Sequence, residues 1–156
     1  MKDIIQLLLA RIGLISGISQ ALIFNNQLQN PKSEDLIFYP AVFVELMDVQ
    51  FEPFHGGTER QYGTAEVRFH VVNDNLLQGA DLGIYNLKDV VHQYLHRFDG
   101  DHFNGLVRTQ ETLDTDHASL YDYQITYTFR FLEETQPLPS EDTDDFPFDY
   151  SLTGTR

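Results

Sequence analysis

Residues 120–132, LYDYQITYTFRFL, alternate large apolar and polar side chains without a break. A period of two over thirteen residues is the signature of a β-strand with one face buried. Tyr121, Tyr123, Ile125, Tyr127, Phe129 and Phe131 fall on one face, and Asp122, Gln124, Thr126, Thr128 and Arg130 on the other. Six large apolar groups in a row need a cover, so the chain is predicted to build a sheet with a second layer against it.

Other segments supply the partners. In 64–72, Ala65, Val67, Phe69 and Val71 alternate with Thr64, Glu66, Arg68 and His70, which predicts a second strand. Tyr39–Leu46 is a continuous β-prone run with Pro40 at its start, where a missing N–H is tolerated. Residues 104–114 read as a further strand, joined to 120–132 by a hairpin link over 115–119. Ala21-Leu22-Ile23-Phe24 is a candidate short strand.

Two stretches have helical spacing. Ile4, Ile5, Leu8, Leu9 and Ile12 predict a helix over 3–12, with Asp3 as N-cap and Gly13 as its stop. Ile84, Leu87, Val91, Tyr94, Leu95 and Phe98 predict a second over 82–98, ended by Asp99-Gly100-Asp101. The resulting fold class is α+β: an antiparallel sheet with two main helices on one face. Residues 48–63 read as a long, β-hairpin-like loop, since they hold Pro53 and the Gly56-Gly57 pair. That loop carries Phe51, Phe54 and Tyr62, apolar groups that a solvated loop has no use for.

Residues 1–133 form the expected single domain. From there to 156 the composition turns acidic and aperiodic, predicting a flexible tail over 134–156. Phe146, Phe148 and Tyr150 interrupt that acidity, and FPFDY has the form of a short docking peptide.

Charge and composition narrow the function. The 156 residues hold 24 Asp and Glu against 10 Lys and Arg, a formal charge of −14. Gripping nucleic-acid phosphates needs clustered cations, so this balance argues against it. There is no cysteine, which removes disulfides, thiolate metal sites and thiol nucleophiles. No run approaches the ~18–20 apolar residues of a helical membrane span, and MKDIIQLLLARIG lacks the form of a signal peptide. Use in a cytoplasm is the expectation.

Catalytic chemistry finds no motif. His92 and His96 stand four apart, a spacing that can place two imidazoles on one metal. In HQYLH, however, Gln93 replaces the Glu that follows the first His of the zinc-peptidase motif, and no third ligand stands at motif spacing, which leaves only an approach of His102 or His117 in space. The pair is expected to be partly exposed and not a ligand set, and His70 and His55 to lie at the surface. There is no nucleophile elbow, phosphate-binding glycine loop or calcium loop. The expectation is no enzyme, no cofactor and no metal.

In order, the leading amphipathic helix, YPAVFVEL, a long loop, GTAEVRFHVV, a helix ending VVHQYLHRF, and YDYQITYTFRF resemble the tail terminator (tail-completion) proteins of long-tailed bacteriophages and related head–tail joining proteins. The resemblance covers roughly residues 1–133 and rests on pattern and order. It implies a structural virion protein, assembled in the host cytoplasm. Copies would form a ring, a hexamer in the typical case, at the end of the tail tube. The ring stops tube growth, meets the tail tube protein and a neck or head–tail connector protein, and lets DNA pass without specific binding. Phe51, Phe54, His55 and Tyr62 would then be subunit contacts, and Phe146, Phe148 and Tyr150 a docking segment for a partner. Two other classes stay open: an acidic DNA-mimicking or other protein-binding inhibitor module, and a metal enzyme built on His92 and His96.

Overall fold

The computed structural model describes residues 1–28, 36–53, 60–74, 81–114 and 120–134. Within them lie α1 (Lys2–Ile12), β1 (Gln20–Ile23), β2 (Ala41–Pro53), β3 (Arg60–Asn73), α2 (Asp81–Leu95), β4 (Val107–Asp114) and β5 (Tyr121–Glu134). The strands form one sheet in the order β1-β2-β3-β5-β4. β2, β3, β5 and β4 are antiparallel neighbours, as the alternation requires, but β1 runs parallel to β2. The sheet is therefore mixed. A strand of four residues carries too little pattern to reveal its direction.

Both helices cover one face. Ile4, Leu8 and Ile12 of α1 and Ile84, Val91 and Leu95 of α2 pack with Val42, Val44, Ala65, Val67, Phe69, Val71, Tyr123, Ile125, Tyr127, Phe129 and Phe131. The 3/4 spacing of the helices thus meets the period-two rows of the strands. Asp3 lies inside the first turn of α1 and does not cap it; its charge still suits the positive end of the helix dipole. α2 ends at Leu95, three residues before the predicted stop, and Arg97 follows in a left-handed conformation at φ 59°.

The other face is covered at one end. Leu28, Ala41, Phe43 and Val72 form a second small core, with Phe24, Ile37, Tyr39 and Leu120 against it. The rest of that face is the polar row of the strands.

Two strands have a bulge: β2, beyond the four residues that β1 covers, and the edge strand β4. On β2 the register with β3 shifts between Leu46 and Val49, and on β4 the register with β5 shifts between Arg108 and Gln110. No helix among the described residues is long and apolar enough to cross a membrane.

Candidate functional site

The predicted loop over 48–63 is largely strand. β2 continues to Pro53 and β3 begins at Arg60, so the two run on beyond the helix-covered core as a paired arm. Proline and glycine are loop signals, but Pro53 stands at the end of β2, where it interrupts no ladder. β5 reaches the same level, pairing Glu133 with Gln61 and Glu134 with Arg60. The domain's last strand therefore takes in Glu134, which the sequence assigns to the tail.

Two cross-strand rows define the arm. In one, Phe51, Gly63 and Phe131 are adjacent across three strands. The Phe51 and Phe131 rings meet edge to face at 6.0 Å, and Phe131 lies over the bare Gly63 backbone. In the next row, Glu52, Tyr62 and Leu132 are adjacent. Arg130 lies over the Tyr62 ring at 5.3 Å and reaches Glu52 at 3.5 Å. Despite these contacts Phe51 is 48% exposed and Tyr62 39%. Phe54 and His55 lie outside the described residues, as do Phe146, Phe148 and Tyr150.

A second apolar patch sits at the opposite end of β2, beside β1. Leu22, Ile23, Leu36 and Phe38 are exposed there, Leu36 at 74% and Phe38 at 59%. The Gln20 amide holds the 36–38 strip in place: its nitrogen donates to the Leu36 carbonyl at 3.2 Å, and its oxygen accepts from the Phe38 N–H at 2.9 Å. Sequence reading misses this patch, because LIFY at 36–39 abuts a loop-like segment; its signal is a run of apolar residues ahead of Pro40. At the base of the arm an open cleft of about 980 Å³ is lined by apolar Ile4, Phe103 and Phe131 and by charged Asp3, Arg130 and Glu133 among others.

Two polar clusters flank these surfaces. His70, expected at the surface, is buried at 3% exposure. Its Nδ1 lies 2.8 Å from Asp122 and its Nε2 3.2 Å from Glu45, while the Phe24 ring stacks on it at 4.1 Å. The alternation puts His70 on the correct face; the 24–28 segment then covers that part of the face. Asp122 is also buried, and its Oδ1 has no hydrogen-bond partner among the described residues. An Asp–His pair resembles part of a catalytic triad, but here the second nitrogen lies against Glu45, and among the described residues no hydroxyl bonds to it.

The other cluster lies between α2 and β4. Lys88 pairs with Glu111 and Asp89 at 3.1 Å each, Arg108 also holds Glu111, and the Tyr123 hydroxyl donates to Glu111 at 3.0 Å. Burial pulls the Lys88 ammonium down, but its bonds to Glu111 and Asp89 outweigh that and raise it above the ordinary lysine value. Burial likewise opposes ionisation of Glu111, yet the bonds from Lys88 and Tyr123 hold its carboxyl below the usual range. His92 is half-buried, with Nδ1 2.7 Å from the Tyr127 hydroxyl. Burial, then the charge of Arg108 and the neighbouring His96, lower its pKa. Burial pushes the Tyr127 hydroxyl well up. Among the described residues no three His, Asp or Glu side chains could hold a metal ion together.

No protein-family model matches the chain, and no curated protein matches it. Among solved structures the chain is similar to one from "Virion of native gene transfer agent (GTA) particle", at 14% identity and a TM-score of 0.44, covering 81% of this chain and 84% of that one. A likeness of that degree carries no argument about role.

Proposed function

We propose that the chain is a structural subunit of a phage-like virion, a tail terminator whose copies close into a six-membered ring at the end of the tail tube. The ring would stop tube growth and offer its free side to a neck or head–tail connector protein. The observation that carries this reading is the arm, where Phe51 and Tyr62 stay exposed although Phe51 meets the core residue Phe131. A ring needs two different patches on each subunit, because its contacts are head to tail. The arm is one, and the Leu22, Ile23, Leu36 and Phe38 patch is the second. Leu22 stands beside Phe43, eight positions along β2 from Phe51, which sets the patches about 26 Å apart along the strand. The charge of −14 supports the same reading, since an acidic ring does not hold passing DNA by its phosphates.

Sedimentation velocity tests it, with circular dichroism as folding control. Wild type is expected to sediment as a closed oligomer. Phe51→Ala with Tyr62→Ala is expected to release folded monomers, at about 1–3 kcal/mol lost per side chain at each joint. Ending the chain after Glu134 is expected to leave the oligomer intact. A wild type that is monomeric at every concentration overturns the ring and favours the acidic inhibitor module. An arm variant that sediments like wild type overturns the placement of the contact.

A further inference from the structure

His92 and His96 lie one turn apart on α2, and their ring centroids are 4.9 Å apart with planes inclined at 44°. A nitrogen ligand sits about 2.0–2.1 Å from Zn²⁺ and about 1.1 Å from its own ring centre, so each centroid stands about 3.2 Å from a shared ion. Two centroids 4.9 Å apart then subtend about 100° at that ion, between the octahedral and tetrahedral angles. The rings therefore already have the separation of a chelating pair.

We propose that His92 and His96 form a two-histidine site for a borderline divalent cation, Zn²⁺, Ni²⁺ or Cu²⁺, with His92 oriented by the Tyr127 hydroxyl. Nδ1 of His92 lies 2.7 Å from that hydroxyl, and the second ring nitrogen, Nε2, points to the other side of the imidazole, away from the hydroxyl. A ligating histidine characteristically bonds a fixed partner through its other nitrogen, which sets tautomer and ring angle. Tyr127 suits that part: its ring is fully buried, it packs edge to face on Phe69 at 5.5 Å, and a hydroxyl can accept from Nδ1–H as well as donate to it. Imidazole selects these cations over Mg²⁺ and Ca²⁺, which take oxygen ligands. With two protein ligands the site is open, and water completes the coordination, unlike a closed structural zinc site. Arg108 and Lys88 are the nearby cations; both are paired with Glu111, and the chain as a whole is strongly negative. Sequence alone offers the spacing of four but no further ligand at motif spacing, and Gln93 stands where a zinc peptidase has Glu. Tyr127, 35 residues from His92, is what the fold adds.

The test is isothermal titration of ZnCl₂ into the full chain at pH 7.5 in a non-chelating buffer. One zinc per chain is expected, with no heat from MgCl₂. His96→Gln changes an exposed side chain and leaves folding untouched; it is expected to weaken binding at least tenfold. Tyr127→Phe keeps the ring and removes only the hydroxyl; it is expected to weaken zinc about 10–100-fold, as loss of an outer partner does. Zinc binding that is equal in wild type and His96→Gln overturns the site. An unchanged affinity in a folded Tyr127→Phe variant overturns the orienting role.

Discussion

Gly63→Ala tests the construction of the arm. A Cβ built on Gly63 would meet Phe131 carbons at 2.2, 2.3 and 2.8 Å, whereas carbon atoms rest about 3.5–4.0 Å apart. The ring must retreat by more than ~1 Å to restore contact distance. It has little room, being 4% exposed and bounded by Phe51 at 6.0 Å and Phe129 at 6.1 Å. Overpacking of this kind costs about 1–3 kcal/mol. Alanine would otherwise gain about 0.5–1 kcal/mol over glycine in a strand, through the smaller backbone entropy of the unfolded chain. The clash wins, leaving a net loss of about 1 kcal/mol, or a fall in Tm of about 2–4 °C for a chain of this size. The assay is urea unfolding followed by far-ultraviolet circular dichroism, repeated in a Phe131→Ala background. There the ring is gone, so Ala at 63 should be neutral or stabilising, with a coupling of about 1 kcal/mol or more between the sites. Gly63→Ala raising the midpoint in the otherwise wild-type chain would refute the packing of Phe131 over a bare backbone.

His70→Ala is expected to cost about 1–3 kcal/mol in the same assay, because it leaves the buried Asp122 with the Gln124 amide as its remaining side-chain partner among the described residues; a loss below ~0.5 kcal/mol shows that the pair is not structural. His92 titrates below its unfolded value, so the unfolded chain takes up its proton first and stability falls as pH drops through about 6.5. Melting curves between pH 7.5 and 5 should show this slope reduced in His92→Gln, and an identical slope in both chains would disprove the assignment.

Much of the sheet is legible in the sequence because the relevant pattern is local. β5 and the inner half of β3 alternate strictly, and each predicted core-facing residue of β3 is buried on the helix face. The hairpin form of the arm is legible, but the reach of its strands is not, for a local reason too: Pro53, Gly56-Gly57 and Gly63 carry the residue signature of a loop. Gly63 is there because a ring from a strand nearly seventy positions later lies on it, and no spacing rule sees that far. The same holds for His70. Its face follows from alternation, but its burial depends on Phe24 and the segment behind it, and its Asp122 partner sits 52 residues away. The aromatics of the arm are conspicuous by composition alone, whereas the Leu36–Phe38 strip gains meaning only once Gln20 holds it against β1.

The two bulges bear on how the sheet receives another extended chain. An outer strand with even pleats is a template on which any extended chain can zip, amide by amide. Here Met47 and Asp48 oppose a single residue of β3, and Thr109 is an extra residue in β4, so each rim is broken part-way along. A stray strand that starts to pair on either side loses its footing within a few residues. If copies meet as the proposed ring requires, contact through side chains, where shape and chemistry discriminate between partners, is favoured over contact through the backbone.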